Sequence, residues 1–517
     1  MHFAKHLLIT CLAAAPMASV VAATDHEPQQ QSQTAEPKED AVTTSHEVRL
    51  HGDSIDYKAT AGNLLIRKDD GTADASVFYV AYTVKSDKPR PVTFLYNGGP
   101  GSSSIWLHMG SVGPVMVQTA DGKPTAPPPY KVTANPNSIL DKSDLVFIDA
   151  MGTGFSHGIT PKDDKADKGG KKEDPSKPFW GVDQDVDAFA RFIERYVTVN
   201  KRWNDPKFLM GESYGTTRSA ALVNRLQEDG VTMNGVVLVS SILNYGAEMP
   251  GLDREYINNL PTYAAIAWYH NKLTNKPAEL APFLKEVRDF ASGEYAHALA
   301  QGQNISESEA DAVAQKLHQY TGLSVQYIKE ANLQVDPSRF RKELMRDERL
   351  TVGRYDGRFM GIDEDAAGET PDTDASDTAV TGAFVAAFNS YLANDLKFES
   401  KVPYKLFAMD AIRTWDWKHA VPGSHWPVPM PYVVADLGNA MRTNPYLKVF
   451  SANGYFDLAT PFFGTEFDLA HMELPKSLQK NLQFGYYPSG HMIYLNPTAH
   501  KELADDLEKF YDQATHK

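Results

Sequence analysis

Four short apolar runs decide what this chain can fold into. Residues 91–96, 144–149, 207–210 and 235–240 are each dominated by Val, Leu, Ile, Phe and Met. None alternates polar with apolar side chains, so none can keep one face in water; each must be buried on both faces. The first three run into turns that contain glycine: Gly98-Gly99-Pro100-Gly101, Gly152-Thr153-Gly154 and Gly211. Between the second and third runs, Val186, Phe189, Phe192, Ile193 and Tyr196 recur at three- and four-residue spacing, which predicts a helix with one apolar face. Strands alternating with such helices imply a parallel sheet with helical crossovers.

The rhythm has a start and an interruption. Residues 48–50, 64–67 and 76–84 read as an antiparallel meander ahead of it. From about Tyr245 to Asp436 helical patterns take over, broken by acidic and Gly-rich stretches and by an aromatic segment containing Trp415, Trp417 and Trp426. Strand-like runs resume at 446–450 and 482–487, and a last helix starts near Pro497 with Leu503, Leu507, Phe510 and Tyr511 on one face. Those two late strands need a sheet to join. The expected architecture is therefore an α/β core made of residues 46–245 and 437–517, with residues 246–436 inserted as a helical cap; 517 residues are enough for both.

The N-terminus has its own logic. Lys5 and His6 precede an apolar run that ends in small residues at Ala22 and Ala23, the layout of a secretory signal peptide over residues 1–23. Residues 24–45 are polar and predict a flexible linker. The chain has one cysteine, Cys11, inside the signal, so the mature protein has no disulfide, thiol nucleophile or cysteine-based metal site. Export without disulfides points to a bacterial protein, periplasmic or secreted, with no membrane anchor after signal cleavage. A net charge of -15 argues against nucleic acid or an anionic membrane surface as partner.

Two segments match Gly-x-Ser-x-Gly: Gly154-Phe155-Ser156-His157-Gly158 and Gly211-Glu212-Ser213-Tyr214-Gly215. An exposed serine nucleophile needs a strand, a tight turn and then a helix, which aims the helix N-terminus at the reacting atom. Ser213 has both flanks, whereas Ser156 follows extra glycines and precedes Pro161, which cannot open a long helix. A serine hydroxyl also needs a base and an acceptor to orient that base. His491, in a loop after the last strand, and Asp457, after the strand at 446–450, stand in the chain order serine, acid, histidine. The loop Asn97-Gly98-Gly99-Pro100-Gly101 lacks the Gly-Lys-Ser/Thr of a phosphate cradle; the N–H groups of Gly99 and Tyr214 are the expected oxyanion hole.

Taken together, Asn97 to Ser104, Gly152 to Ser156, Gly211 to Gly215, Asp457 and Gly490-His491-Met492 resemble the serine carboxypeptidase family, peptidase family S10. The resemblance implies an α/β-hydrolase fold with an inserted cap, no cofactor or metal, and removal of the last residue from peptides with a free C-terminus through an acyl-enzyme. It implies that Asn97 and Glu212 bind the terminal carboxylate. It also marks two departures: Ser102 stands where the family has a cysteine, and Ser111 where it has a second carboxylate-binding glutamate. A serine there can donate a hydrogen bond at neutral pH, so the optimum is expected to be less acid than the family's norm. An esterase or acyltransferase on the same groups is the alternative reading. A non-catalytic binding protein would have lost one of the three residues, and a metallopeptidase would need a motif such as His-Glu-x-x-His, which is absent. The aromatic segment 415–426 reads either as a hydrophobic subsite or as cap packing.

Overall fold

The computed structural model describes residues 38–160 and 173–515; the segment expected to be a signal peptide lies outside the described residues. Nine strands make the main sheet: β1 (Ala41–Leu50), β2 (Asp53–Arg67), β3 (Ala73–Val84), β4 (Val92–Tyr96), β5 (Asp144–Ile148), β6 (Lys207–Ser213), β7 (Gly235–Ser241), β8 (Lys448–Gly454) and β9 (Leu482–Tyr487). A two-residue strand, His157–Gly158, pairs beside β3. The order across the sheet is β1-β2-β3-β5-β4-β6-β7-β8-β9. Pairing is antiparallel from β1 to β5 and parallel from β5 to β9. This is the α/β-hydrolase fold that the motifs imply.

The parallel strands are buried on both faces, as their composition requires. In β4, Leu95 joins one apolar cluster while Val92, Phe94 and Tyr96 join the other; in β7, Val237 and Val239 are set against Val236 and Leu238 in the same way. One face is covered by α2 (Val182–Val199), α3 (Tyr214–Glu228) and α6 (Val434–Thr443), which contribute Phe192, Leu222 and Leu437 among others. The other is covered by α1 (Ile105–Gly110), α5 (Ala375–Asn394) and α7 (Pro497–Thr515), with Leu107, Phe384 and Leu507. Each such side chain contributes about 1.5–3 kcal/mol on burial.

Residues 41–45, expected to be linker, are instead the first half of β1, where Ala41 pairs with Gly62 and the register continues to Leu50 against Asp53. β1 is an edge strand whose side chains are mostly exposed until Val48, so its order comes from the backbone ladder and needs no apolar residues. Polar composition alone therefore misplaced its start.

β7 and β8 are neighbours in the sheet, so the chain between them is an insertion. It has two parts. The first, around α4 (Arg254–Tyr269) and helices Leu280–Phe290 and Glu307–Thr321, packs its own apolar cluster, which also takes in Phe456, Leu458 and Phe462 from beyond β8. The second returns to the main core through α5, whose Phe384 packs on Trp106 at 5.1 Å. Between them a hairpin, Leu350–Val352 against Met360–Ile362, points its loop at the sheet's carboxyl edge.

A late loop of the insertion is pinned by a buried histidine. His419 Nδ1 lies 2.6 Å from Asp183 Oδ1, on the first turn of α2, and its Nε2 lies 3.0 Å from Asp436 Oδ2 on α6. Burial opposes the charged ring, but the two carboxylates outweigh it and push its pKa up to about 9 from an ordinary 6.5. Asp436 is itself held above its usual range by burial, which His419 only partly offsets. A folded pKa above the unfolded one gives stability that is full below about pH 6.5 and lost as pH rises through about 9. Stability should accordingly fall by roughly 2–3 kcal/mol between pH 7 and 10, read as a falling melting temperature. His419→Asn should be less stable at pH 7 and should flatten that slope; an unchanged slope in the variant would remove the clamp from the account.

Candidate active site

Strand β6 ends at Ser213 and α3 begins at Tyr214, with no residue between them. Ser213 takes up the turn alone, at φ 62° and ψ −131°. A non-glycine residue held there costs of order 1–3 kcal/mol and persists only where its surroundings enforce it. They do: a Cβ on Gly211 would sit 2.1 Å from the Gly215 carbonyl oxygen, so strand and helix can approach this closely only without one. The turn leaves Ser213 at the mouth of a cavity of about 170 Å³, which it shares with Asn97, Gly99, Glu212 and His491.

Every one of these groups lies at or just past the carboxyl end of a parallel strand, where open α/β sheets hold their ligands. Asp457 follows β8 and His491 follows β9. Asp457 Oδ2 lies 2.7 Å from His491 Nδ1, and both side chains are buried. Asp457 also accepts from Ala459 N at 2.8 Å, Thr460 N at 3.0 Å and Thr460 Oγ1 at 2.7 Å, which fixes its rotamer. An acceptor on Nδ1 leaves the proton there and frees Nε2 to act as a base. Burial disfavours the His491 imidazolium, yet the charge and hydrogen bond of Asp457, joined by the charge of Glu212, hold its pKa above the ordinary histidine value.

The loop after β4 lies against the start of α3. A Cβ on Gly98 would fall 2.4 Å from Tyr214 N, so this approach also depends on a bare Cα. Among the described residues, neither the Gly99 nor the Tyr214 N–H donates to a protein acceptor, so both are available to an anionic oxygen. Asn97 is locked on three sides: its Oδ1 accepts from Leu107 N at 2.9 Å, its carbonyl from Arg218 Nη1 at 2.8 Å, and its Nδ2 donates to Glu212 Oε1 at 2.7 Å. Arg218 is fully buried against Asp185 at 2.6 Å and stacks 4.2 Å over Phe189. Breaking a pair of that kind costs about 3–5 kcal/mol, so the loop's anchor is stiff. Burial pushes Glu212 up to about 7; His491, the Tyr494 hydroxyl and Asn97 each hold the rise back. Near neutrality, then, it carries a proton part of the time and can donate from it.

The insertion takes part in this arrangement. In the hairpin loop, the Tyr355 carbonyl accepts from His491 N at 2.6 Å, the Arg354 carbonyl from Leu458 N at 3.0 Å, and Asp356 Oδ2 from Gly490 N at 3.2 Å. Further on, Ser103 N donates to Leu406 O at 3.0 Å and Ala408 N to Gly101 O at 2.8 Å. Three loops of the site are thus braced by the insertion's backbone or side chains.

The sequence profile of the serine carboxypeptidase family matches residues 52–484. The chain belongs to that family. It is similar to the pheromone-processing carboxypeptidase KEX1 of Saccharomyces cerevisiae, 30% identical over 163 residues, which are 30% of this chain and 20% of that protein. It is also similar to serine carboxypeptidase-like 36 of Arabidopsis thaliana, 28% identical over 195 residues, 37% of this chain and 36% of that protein. The matches thus span about a fifth to a third of these relatives' own length. A proline iminopeptidase structure from Mycobacterium smegmatis overlaps 87% of this chain and 98% of its own, at 12% identity and a TM-score of 0.35, a likeness that carries no argument.

Not every expected residue of this serine carboxypeptidase family member falls in the cavity. Asn97, Gly99, Glu212, Ser213 and His491 line it, with Asp457 buried behind His491. Ser111 does not: it caps the end of α1, its carbonyl accepts from Asn135 Nδ2 at 2.6 Å and His500 Nε2 at 2.7 Å, and its buried hydroxyl has no partner among the described residues. Ser156 accepts from Phe78 N and donates to the Asp149 carbonyl, both at 2.8 Å, a structural loop position. Trp415 packs edge-on to Tyr214 at 5.5 Å and Trp417 on Tyr245 at 4.8 Å, while Trp426 is exposed; none of the three lines the cavity. The sequence reading missed Trp106, Tyr245, Glu248, Arg354, Tyr355 and Asp377, which do. Only Tyr245 carried a signal, its place just past a strand's carboxyl end.

Among the described residues, His51, Asp141 and Glu508 hold ligand atoms within 4.8 Å of one another and could offer them to a metal ion. They lie outside the cavity, and His51 Nε2 is already 2.8 Å from Glu508. Also among the described residues, no helix is long and apolar enough to cross a membrane.

Gly98→Ala should force the loop away from α3 and carry the Gly99 N–H with it. The rate at which Ser213 reacts with a p-nitrophenyl ester should drop about 100-fold, the worth of one oxyanion donor, with the circular dichroism spectrum kept. An unaltered rate would mean the loop supplies no donor.

Proposed function

We propose that this protein is a serine carboxypeptidase that releases the C-terminal residue of peptides through an acyl-enzyme on Ser213. The observation that carries the reading is Glu212: a buried carboxyl next in sequence to Ser213, hydrogen-bonded by Asn97 and pushed up to about 7. A hydrolase of esters in general has no need of a protonatable carboxyl there. A peptidase that must hold a free carboxylate does, because a protonated Glu212 and the Asn97 amide can both donate to it.

The proposed sequence begins when His491 Nε2 takes the Ser213 proton as Oγ bonds to the scissile carbonyl carbon. The oxygen's negative charge falls between the N–H groups of Gly99 and Tyr214. His491 passes its proton to the leaving nitrogen, the C–N bond breaks, and the amino acid departs with its carboxylate. Water then repeats the cycle, His491 taking its proton while its oxygen attacks the ester and Ser213 Oγ regains a hydrogen. Asp457 keeps the ring oriented and stabilises the imidazolium throughout.

A second reading, an esterase or acyltransferase on the same groups, is favoured by one observation. Ser111 does not reach the cavity, so the carboxylate site lacks the additional side chain that the family resemblance implies. We further read the protein as exported, on the strength of residues 1–23, in a bacterial periplasm or medium.

The pH profile tests the reading. The acid limb requires His491 to lose its proton, above the ordinary histidine value; the alkaline limb requires Glu212 to keep one, at about 7. The two groups interact, so both limbs belong to the pair. Release of the last residue from an N-blocked dipeptide should peak near pH 7, vanish in Ser213→Ala, and be weak on the C-terminal amide. Glu212→Gln should lose the alkaline limb and keep the acid one. A sharp maximum at pH 4–5 would contradict this assignment of the limbs, and Ser213-dependent ester cleavage with no peptide release would favour the second reading.

A further inference from the structure

We propose that Arg354, supplied by the inserted segment, grips a carboxylate of the substrate, the terminal one in the carboxypeptidase reading on which this rests. The residue sits in the loop of the Leu350–Val352 and Met360–Ile362 hairpin and lines the same cavity as Ser213, His491, Asn97 and Glu212.

Its backbone is fixed to the groups it serves. Arg354 N donates to both carboxylate oxygens of Asp374 at 3.1 Å, its carbonyl accepts from Leu458 N, next to Asp457, and the following carbonyl accepts from His491 N. The root of the side chain is thus tied to the acid loop and the base loop together. Its head is not tied to anything. Among the described residues the Arg354 guanidinium has no hydrogen bond and no ion pair; it lies over the face of the Tyr355 ring, 5.3 Å from its centre. Nearby arginines are unlike it: Arg218 and Arg358 each have a carboxylate at 2.6 Å.

Its charge is felt across the site. Arg354 lowers the pKa of His491 and of Glu248, and is itself acted on by Asp374, Glu248 and Asp457, none of which bonds to its guanidinium. Arg354 is exposed, so a substrate that fills the cavity takes its guanidinium out of water, and a desolvated cation without an acceptor is costly. The ligand must therefore bring acceptors, and the planar fork of an arginine matches the two oxygens of a carboxylate. The cavity also needs such a group. Asn97 and Glu212 already share a hydrogen bond with each other, and Ser111 lies elsewhere, so a bound carboxylate would otherwise meet no cation.

The test separates binding from turnover by using the Ser213→Ala variant of the full chain. Titration calorimetry gives the dissociation constants of an N-blocked dipeptide acid, its C-terminal amide, and two further amides ending in Glu or Gln. Arg354→Gln should reduce the acid-over-amide preference by about 10- to 100-fold, the worth of a charged bidentate pair, and Arg354→Lys should retain part of it. If instead the Glu-over-Gln preference falls, the carboxylate is a substrate side chain and Arg354 still grips it. Both preferences unchanged in a variant with the parent's melting temperature would overturn the proposal; should the Gln variant not fold, the Lys variant answers the same question. Release of the terminal residue by the Ser213 enzyme is scored independently, so loss of the carboxypeptidase reading and loss of the Arg354 contact give different results.

Discussion

The site rests on the backbone of Ser213, forced to φ 62° where β6 becomes α3. That one geometry has three consequences. It requires a bare Cα at Gly211, where a side chain would strike the Gly215 carbonyl. It aims the first free N–H of α3 at whatever meets the serine. And it buries the residue before it: Glu212 belongs to a strand enclosed on both faces, so its carboxyl loses water and its pKa climbs. The strain, about 1–3 kcal/mol, is held in place by a parallel sheet whose burial energy exceeds it many times over.

The insertion is better understood as a brace than as a lid. Residues 353–357 bond to the loops of Asp457 and His491, residues 404–408 bond to the loop of Gly99, and His419 ties the last stretch back to α2 and α6. Long loops at a sheet edge would otherwise sample many conformations, and a displacement of an ångström there is enough to misplace a base or an oxyanion donor. The extra residues between β7 and β8 thus order the site, which explains why their second half shares the main apolar core through Phe384, Phe388 and Tyr391.

What could be read from the sequence followed from how local each signal is. The sheet, the elbow at Ser213 and the loops carrying Asp457 and His491 are set by short runs and their immediate flanks, and the fold has them in those places. Residues 41–45 were misread because an edge strand takes its order from backbone pairing with Gly62 and its neighbours, which leaves no mark in side-chain hydrophobicity. Arg354 and Asp377 were illegible for a different reason. They reach the cavity only because a hairpin and a helix of the insertion fold back over it, and no local pattern records contacts across more than a hundred residues. Ser111 is the opposite case: the family resemblance puts it at a functional position, but α1 ends just before it and its hydroxyl stays in the core.

Charge ties these pieces together. Glu212, Glu248 and Asp377 all line the cavity, and burial raises the pKa of each. Once ionised, Glu212 drives His491 toward its protonated, unreactive form. Two things oppose that. Burial keeps a proton on Glu212 part of the time near neutrality, and the Arg354 charge lowers the pKa of His491. For the pair His491 and Glu212 a single proton can sit on either member. Only the arrangement with a neutral ring and a protonated carboxyl can both abstract a proton from Ser213 and donate one to a carboxylate. The Arg354 charge favours that arrangement, because it disfavours a proton on the imidazole. In that sense the cation from the insertion and the buried acid of the core serve one requirement: to leave His491 free to act as a base in a cavity otherwise rich in carboxyl groups.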